Sequence, residues 1–320
     1  MNAVLRVAGL CKTFGGEQRL FGKPSPPVYA VQSVSFSVAG GEVLGIVGES
    51  GCGKTTLARM LVGLLPASSG QIKISGRDIS DLSGETGGCG RHIQYVFQNA
   101  PGSLNPRKTI LQIMEAPLIH LLGMAGADRK ARIAELFDAV NLRREFLQRY
   151  PHEFSGGQAQ RICIARALAA NARIVVLDEP VSALDVSVQA QVLNLLSDLR
   201  KAYNLTYIFI SHDLAVVEAI SDRVAVLYFG SIVELGKAGD VFSGPRHPYT
   251  HLLTESAPVI GKPLSIAVDT PGDPPDPLAP PAGCAFAGRC DKAQNDCRLN
   301  KPTLTKNPGE HHVRCFHPLG

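Results

Sequence analysis

The sequence predicts an α/β fold built on a parallel sheet with crossover helices. Beyond residue 172, strand-sized apolar runs such as "RIVVLDEP" and "LTYIFISHD" alternate with the helical stretches "SVQAQVLNLLSDLRKAY" and "LAVVEAISD". Earlier in the chain, a buried strand, "EVLGIVG", turns directly into a helix. Alternation of this kind is typical of a sheet that helices cover on both faces.

The remaining segments predict strands and helices outside this unit. Residues 102–170 are predicted to be mostly helical, because "ADRKARIAELFDAVNL" carries apolar residues at i, i+3 and i+4. Residues 1–40 alternate as strands do, in "VLRVAGL" and "SVSFSV", around a Gly/Pro/Ser-rich stretch that we expect to form a surface loop. "GQIKISG" and "RVAVLYFGSIVELG" are also strand-like, whereas "PGDPPDPLAPPAG" has the composition of a tether.

Composition excludes several classes of protein. With 320 residues and 45% hydrophobic content, the chain can bury a core, and its length predicts one large domain or two ordinary ones. The chain has 32 Lys and Arg against 28 Asp and Glu, and this small basic excess is scattered along the sequence. We therefore expect no nucleic-acid partner. We find no signal-peptide pattern and no run of about 18 uncharged apolar residues. We therefore expect a cytoplasmic chain that does not itself cross a bilayer.

The stretch "GESGCGKTT", residues 48–56, matches the phosphate-binding pattern G-x-x-x-x-G-K-[ST] between a predicted strand and a predicted helix. Its glycines let the backbone wrap around phosphate, and its amides point at an anion along a helix N-terminus. Lys54 is expected to meet the β- and γ-phosphates, and the Thr55 hydroxyl to ligate Mg²⁺. The predicted ligands of a nucleoside triphosphate are Gly48, Ser50, Gly51, Gly53, Lys54, Thr55 and Thr56.

Two carboxylates end the apolar strand "RIVVLDEP". Asp178 is predicted to hold Mg²⁺ through water, and Glu179 to act as the general base that orients or deprotonates the attacking water. The alternative is a strand end that is acidic by chance. A P-loop elsewhere in the chain makes that alternative much weaker.

The stretch "FSGGQAQRICIARAL" opens a predicted amphipathic helix with two glycines between a serine and a glutamine. One interpretation is a Ser-capped helix with a flexible entry. The other is a second phosphate-binding surface, which would act on a nucleotide held by another subunit because it has no P-loop of its own. Taken alone, the residues favour neither interpretation.

The order of these motifs resembles that of ATP-binding cassette (ABC) transporter ATPases over residues 4–237. "SALD" at 182–185 and "FISHD" at 209–213 belong to the same pattern. "SLNPR", "RYPHEFSGGQ", "HPYT" and "PPAGCAFAGRC" make the chain similar to the ATPase subunits of dipeptide and oligopeptide permeases. The resemblance implies a P-loop NTPase (RecA-like) ABC cassette over 1–237, with an antiparallel β subdomain and a helical subdomain over about 102–170. A small Cys-rich C-terminal extension would occupy 238–320.

The resemblance implies roles for further residues at the same nucleotide. Gln98 would sense the γ-phosphate and the attacking water and contact Mg²⁺, and His212 would contact the γ-phosphate. A lone histidine is more often a cap or a core residue, but the place of His212 directly after a buried strand reverses that preference. Tyr29 is the preferred aromatic for stacking on adenine, with Phe21 and Phe14 as alternatives.

The resemblance also implies partners. Ser155, Gly157 and Gln158 would reach ATP held by an opposite cassette, and Asp185 would communicate across that interface. We expect a paralogous ATPase chain as the second cassette, two integral-membrane permease subunits and, indirectly, an extracytoplasmic substrate-binding protein. The chain would then lie at the cytoplasmic face of the membrane. Dipeptides or oligopeptides are the implied cargo, with nickel or another small solute as the alternative. A soluble cassette ATPase and a non-hydrolysing ATP-binding module are less favoured.

Four of the eight cysteines form a group near the C-terminus with the spacing C-x5-C-x6-C-x17-C. In a reducing compartment they would stay thiols or bind metal. From spacing alone, a metal site, unliganded thiols and a redox role stay open. The resemblance favours a [4Fe–4S] cluster of structural role over Zn²⁺, for which His311, His312 and His317 are substitute ligands. The predicted ligands are Cys284, Cys290, Cys297 and Cys315.

Overall fold

The structure is a computed structural model that describes residues 3–16, 25–82, 84–85, 87–256, 273–305 and 311–320. Its strands are β1 (Ala3–Phe14), β2 (Val28–Ala39), β3 (Val43–Val47), β4 (Ser69–Ile74), β5 (Arg77–Asp78), β6 (Ile93–Val96), β7 (Ile174–Asp178), β8 (Thr206–Ile210), β9 (Arg223–Tyr228), β10 (Ser231–Lys237) and β11 (His312–Val313). Its α-helices are α1 (Lys54–Leu61), α2 (Ile79–Leu82), α3 (Ala100–Ser103), α4 (Ile110–His120), α5 (Gly126–Ala139), α6 (Gly156–Ala169), α7 (Val186–Tyr203), α8 (Leu214–Ile220), α9 (Ala238–Ser243), α10 (Pro248–Ser256) and α11 (Asn295–Leu299).

The main sheet has the strand order β11-β10-β9-β3-β8-β7-β6 in the described part of the chain. Strands β9, β3, β8, β7 and β6 are parallel to one another, which confirms the predicted parallel sheet with crossover helices. The stretch "RVAVLYFGSIVELG" is two antiparallel strands, β9 and β10, that turn at Phe229 and Gly230. Both turn residues have positive φ, +45° and +77°, as a two-residue hairpin turn requires.

The predicted N-terminal strands form a second, antiparallel sheet with the order β2-β1-β4-β5. "GQIKISG" contributes its third strand, β4, which pairs with β1. Helices α3 to α6 follow β6 and pack against one another, as the periodicity of this region predicts. The fold is therefore an α/β cassette with an antiparallel β subdomain and a group of helices between β6 and β7.

Both faces of the main sheet are buried, which is why its strands have almost continuous apolar sequences. Leu177 and Phe209 contribute to the core on the face with α4 to α7, whereas Val176 and Ile208 contribute to the core shared with the antiparallel sheet and α1. Within the described residues, no helix has the length and apolar character needed to cross a membrane.

The C-terminal segment is bound to the main sheet rather than separate from it. Strand β11 pairs with β10 and thereby extends the sheet by one strand. Phe286 packs against Tyr228 of β9 and Tyr249 of α10, with ring centroids 5.4 Å and 5.5 Å away. All three rings are buried in the larger core. This segment therefore shares its apolar core with the cassette.

Glu234 on β10 adds polar contacts between the C-terminal segment and the main sheet. Its carboxylate is fully buried and accepts hydrogen bonds from the backbone N–H groups of Arg246 (2.8 Å) and His247 (2.9 Å). The Nε2 atom of His311 lies 2.6 Å from the same carboxylate. One buried acid thus joins three points of the C-terminal segment to the sheet.

The substitution Glu234→Ala is expected to destabilise the protein by roughly 3 kcal/mol, because it leaves buried donors without an acceptor. Urea unfolding measures this loss. The matched control is Glu255→Ala, since Glu255 pairs with His251 on the exposed side of α10. That variant is expected to stay within about 0.5 kcal/mol of wild type. Equal stabilities for the two variants would contradict the role of Glu234.

Candidate active site

The P-loop joins the end of β3 to the start of α1, and two of its glycines leave no room for a side chain. Gly48 has φ +152°, and a Cβ atom there would lie 2.1 Å from the carbonyl oxygen of Leu227. Gly53 has φ +105°, and its Cβ would lie 2.3 Å from the carbonyl oxygen of Ala30. Backbone from β9 and β2 therefore supports the loop closely from outside, and only glycine fits.

Lys54 is the first residue of α1, and its side chain is only 7% exposed. The Nζ atom donates to the carbonyl oxygens of Gly48 (2.7 Å) and Glu49 (2.9 Å). The ammonium thus lies within the curve of the loop at a helix N-terminus, where free amides and the helix dipole favour an anion. The other predicted nucleotide ligands lie on the same loop and first helical turn: Ser50, Gly51, Thr55 and Thr56.

Asp178 ends β7 and lies beside the start of α1. Thr55 Oγ1 donates to Asp178 Oδ1 over 3.5 Å, and the phenol of Tyr95 on β6 donates to Asp178 Oδ2. Burial raises the pKa of Asp178, although both of these hydrogen bonds act to lower it. The carboxylate and the Thr55 hydroxyl together form a set of hard oxygen donors, the type that Mg²⁺ prefers.

Glu179 follows directly and has a left-handed backbone conformation, with φ +48°. Such strain in a residue with a side chain is uncommon and concentrates at functional sites. Gln98 Nε2 donates to Glu179 Oε2 at 2.7 Å, and His212 Nδ1 lies 3.2 Å from Glu179 Oε1. The three residues predicted to be catalytic therefore meet at one carboxylate.

The common position of these groups follows from the order of the strands. The P-loop follows β3, His212 follows β8, Glu179 follows β7 and Gln98 follows β6. These four strands are parallel neighbours, so their carboxyl ends lie at one edge of the sheet. Ligands of open α/β sheets bind at this edge.

Tyr95 is a residue of this site that the sequence did not reveal. Its ring is mostly buried, and its hydroxyl contacts the carboxylate of Asp178. Burial and the nearby acid raise the pKa of Tyr95 well above its ordinary value, so the phenol remains a donor. In the sequence it is one more aromatic in a strand, and no motif marks it.

The stretch "FSGGQ" forms a helix N-terminus. Ser155 Oγ accepts from the N–H of Gln158 (3.4 Å), and the Ser155 N–H donates to the side chain of Gln158 (3.1 Å). Ser155 itself is exposed. Asp185 caps α7 in the same way, accepting from the N–H of Val188 at 2.9 Å. Within one chain, Ser155 therefore caps α6, as the capping interpretation predicts. The contact of Ser155, Gly157 and Gln158 with a nucleotide held by a partner stays a prediction.

Two of the three aromatic candidates for adenine stacking lie within the described residues. Tyr29 is 39% exposed and Phe14 is 41% exposed, on the paired strands β2 and β1. Tyr29 borders a cavity of about 400 Å³ that the P-loop residues 49–52 also line. Phe14 lies under the ammonium of Lys12, 5.2 Å from its ring centroid. Phe21 lies outside the described residues.

The four C-terminal cysteines line one cavity, but they do not form a compact quartet. Among the described residues, no three of their Sγ atoms lie within 4.8 Å of one another. Thiolates around one zinc ion at a bond length of about 2.3 Å would be about 3.8 Å apart. Burial raises the pKa of Cys315 to about 11, and the neighbouring thiols add to that rise. The cavity lining includes Cys284, Cys290, Cys297, Cys315, His247, Phe286 and His317.

One of the three histidines considered as substitute ligands reaches a cysteine in the described part of the chain. Ligand atoms of Asp296, Cys297 and His317 lie within 4.8 Å of one another. His317 Nε2 is 3.0 Å from the Asp296 carboxylate. His311 is engaged with Glu234 instead, and His312 lies on β11.

Gly157 has a packing role that can be tested apart from any role toward a nucleotide. A Cβ atom at Gly157 would lie 2.5 Å from Cγ1 of Val188 on α7, whereas a Cβ at Gly156 would meet its nearest neighbour at 3.4 Å. Gly157→Ala is therefore expected to destabilise the chain by about 1–3 kcal/mol in urea unfolding. Gly156→Ala is the control and should change stability much less. Equal effects would contradict close contact of α6 with α7.

Comparisons with known proteins agree with this geometry. Residues 31–182 match the family described as ABC transporter, and residues 233–297 match the C-terminal region of the oligopeptide/dipeptide transporter family. The dipeptide transport ATP-binding protein DppF of Haemophilus influenzae is 45% identical, over 98% of this chain and 96% of its own length. The oligopeptide transport ATP-binding protein AppF of Bacillus subtilis is also 45% identical, over 98% of this chain and 97% of its own length.

Solved structures show the same fold. The ATP-binding cassette MJ0796, in a dimeric post-hydrolysis state bound to ADP and Pi, aligns with a TM-score of 0.63 and 28% identity. The alignment covers 73% of this chain and 98% of that cassette. The chain therefore belongs to the ABC transporter family, in the group of ATP-binding proteins of oligopeptide and dipeptide transporters.

Proposed function

We propose that this chain binds and hydrolyses ATP to energise an importer of dipeptides or oligopeptides. The observation that carries the proposal is the contact of Glu179 with both Gln98 and His212, at the sheet edge that also holds the P-loop. The cargo is supported by the two relatives that are 45% identical over nearly the whole chain, which are transport ATP-binding proteins for a dipeptide and an oligopeptide. Nickel or another small solute is the alternative cargo.

ATP is proposed to bind with its phosphates in the P-loop. Lys54 would exchange its contacts with the carbonyls of Gly48 and Glu49 for the β- and γ-phosphates, since both carbonyls are neutral acceptors and phosphate is an anion. The amides at the start of α1 would bind the same phosphates. Tyr29 is proposed to stack on adenine because it is exposed and borders the same cavity as residues 49–52.

The residues around Asp178 fit Mg²⁺. The Thr55 hydroxyl and the Asp178 carboxylate are 3.5 Å apart, and burial raises the pKa of Asp178. Thr55 would be a direct ligand, Asp178 would bind through water, and Gln98 would complete the set. When bound, Mg²⁺ supplies positive charge against the β- and γ-phosphate oxygens.

Hydrolysis is proposed to use Glu179 as the general base. Gln98 and His212 fix the orientation of its carboxylate, and each oxygen keeps a further lone pair for the proton of the attacking water. The imidazole of His212 is 56% exposed, so its other edge is accessible to the γ-phosphate. Gln98 lies on the other side of the carboxylate, where its amide can orient the water.

A second cassette is proposed to complete each site. The P-loop surrounds the phosphates from one side, and the N-terminus of α6, where Ser155 is exposed, is a type of element that binds anions. Ser155, Gly157 and Gln158 would therefore close on ATP held by the partner, and Asp185 would communicate the change. Two solved structures of the cassette MJ0796, which has the same fold, are described as dimeric. We propose a paralogous ATPase chain as the partner.

Membrane subunits are the remaining partners. In a transporter, the conformational change that ATP hydrolysis drives has to reach a pore, and we propose two integral-membrane permease subunits as that pore. An extracytoplasmic binding protein would deliver the peptide to that pore. The chain would accordingly act as a peripheral subunit at the cytoplasmic face of the membrane. Its similarity to transport ATP-binding proteins supports this assignment.

The cysteine cavity is proposed to hold a [4Fe–4S] cluster, with Zn²⁺ as the alternative. Four thiols line one cavity there, and cysteine thiolates are the ligands that iron–sulfur clusters take. Cys284, Cys290, Cys297 and Cys315 would be its ligands, and the cluster would supply a structural constraint to a segment poor in secondary structure. Asp296, Cys297 and His317 are the residues that would suit zinc instead.

The substitution Glu179→Gln is expected to lower the ATPase rate by on the order of 10²–10⁴-fold, since it removes the proton acceptor but keeps the contact with Gln98. ATP affinity should be preserved, because the P-loop is unchanged. Steady-state phosphate release and equilibrium ATP binding measure the two effects. The control is Glu255→Gln on the exposed side of α10. A Glu179→Gln rate equal to wild type would refute the assignment of the base.

Protein purified without oxygen is expected to be brown and to contain about four irons per chain. Cys290→Ala should lose the iron, whereas Cys89→Ala should keep it because Cys89 lies away from the cavity, in the turn before β6. Metal analysis and the visible spectrum of both variants test this. Colourless wild-type protein with one zinc per chain would overturn the cluster in favour of zinc.

A further inference from the structure

Two side chains of the C-terminal extension reach into the P-loop, and both contact Glu49. The guanidinium of Arg289 donates to both carboxylate oxygens of Glu49, at 2.9 Å and 3.0 Å. The Glu49 N–H donates to the hydroxyl oxygen of Tyr249 at 2.9 Å. These contacts join positions that are 240 and 200 residues apart in the sequence. The extension is therefore in direct contact with the loop that binds phosphate.

Every polar group of Glu49 has a partner. Its N–H is bound to Tyr249, and its carboxylate is bound to Arg289. Its carbonyl accepts from the Cys52 N–H at 3.3 Å and, before ATP binds, also from Lys54 Nζ at 2.9 Å. The peptide planes on both sides of Glu49 are thereby held in one orientation. Because the amides that follow Glu49 are those expected to bind phosphate, this orientation determines where they point.

Arg289 is well placed to hold its partner in a fixed position. Its side chain is only 11% exposed, and its guanidinium lies over the rings of Phe286 (5.7 Å) and Tyr228 (5.9 Å). Its backbone N–H donates to the carbonyl oxygen of Phe286 at 2.9 Å. The carboxylate of Glu49 raises the pKa of Arg289, so the guanidinium is always charged. A bidentate pair of this kind is both strong and specific in geometry.

The charge of Glu49 explains why such a partner is needed. A carboxylate beside the phosphate-binding amides repels a triphosphate, since the two negative charges would lie within one short loop. Arg289 neutralises that charge and holds the carboxylate against the extension. The hydroxyl of Tyr249 holds the backbone of the same residue from the same side.

We propose that Arg289 and Tyr249 are positioning residues for nucleotide binding, through which the C-terminal extension holds the P-loop open to phosphate and cancels the charge of Glu49. The inference rests on the proposed ATP site. Neither residue contacts the reacting groups, because Glu179, Gln98 and His212 form their own cluster. Their loss should therefore raise the dissociation constant and the KM for ATP and leave kcat at saturating ATP nearly unchanged.

The test uses the full-length chain and Mg·ATP, with affinity measured by displacement of a fluorescent ATP analogue. Arg289→Ala is expected to raise the Kd for ATP on the order of tenfold. Adding Glu49→Gln to this variant removes the uncompensated charge and should restore the Kd to within about threefold of wild type. Tyr249→Phe keeps the buried ring and should raise the Kd about threefold. Arg298→Ala, an exposed arginine of the same extension, should leave the Kd unchanged.

The outcomes separate this inference from the function on which it rests. If Arg289→Ala and Tyr249→Phe both bind ATP with the wild-type Kd, the inference is overturned and the proposed function is not. The same holds if Arg289→Ala weakens ATP binding and the added Glu49→Gln does not restore the Kd. Failure of the wild-type chain itself to bind ATP overturns the proposed site as well. Thermal unfolding of each variant detects a general loss of folding. If Arg289→Ala does not fold, the Kd of Tyr249→Phe for ATP decides the inference.

Discussion

The carboxyl ends of four parallel strands meet at one edge of the main sheet, and the site depends on that geometry. Adjacent strands lie about 4.8 Å apart, so residues that follow neighbouring strands come within hydrogen-bonding distance whatever their separation in sequence. Gln98 and Glu179 are 81 positions apart and form a hydrogen bond of 2.7 Å.

The C-terminal extension depends on the same sheet. It adds β11 to the edge at β10, places Phe286 against Tyr228, and surrounds the buried carboxylate of Glu234 with donors. A short segment with little secondary structure has too few apolar residues for a core of its own. It therefore folds on the cassette, and this position brings Arg289 to the P-loop. The proposed boundary at residue 237 divides the sequence, but the apolar core continues across it.

Local patterns predicted much of the fold and of the site. Apolar runs that end in charge predicted β7 and β8, and the strand-to-helix turn predicted the P-loop with its glycines. Other features could not be predicted from periodicity. The hairpin between β9 and β10 turns at Phe229, an apolar residue that continues the strand pattern. The sequence pattern allows Gly157 a place in a flexible helix entry or on a phosphate-binding surface, but its packing role does not follow from that pattern. Its contact with Val188 depends on how α6 and α7 cross.

The sequence by itself determined the phosphate-binding loop, the acidic strand end and the order of strands and helices, since each depends on residues close together in the chain. The tertiary structure alone decided that Glu179 is held by Gln98 and His212, that Tyr95 contacts Asp178, and that the extension reaches Glu49. The physical reason is distance along the chain. Hydrogen bonds and ion pairs act over a few ångströms, and only folding brings together groups that are up to 240 residues apart.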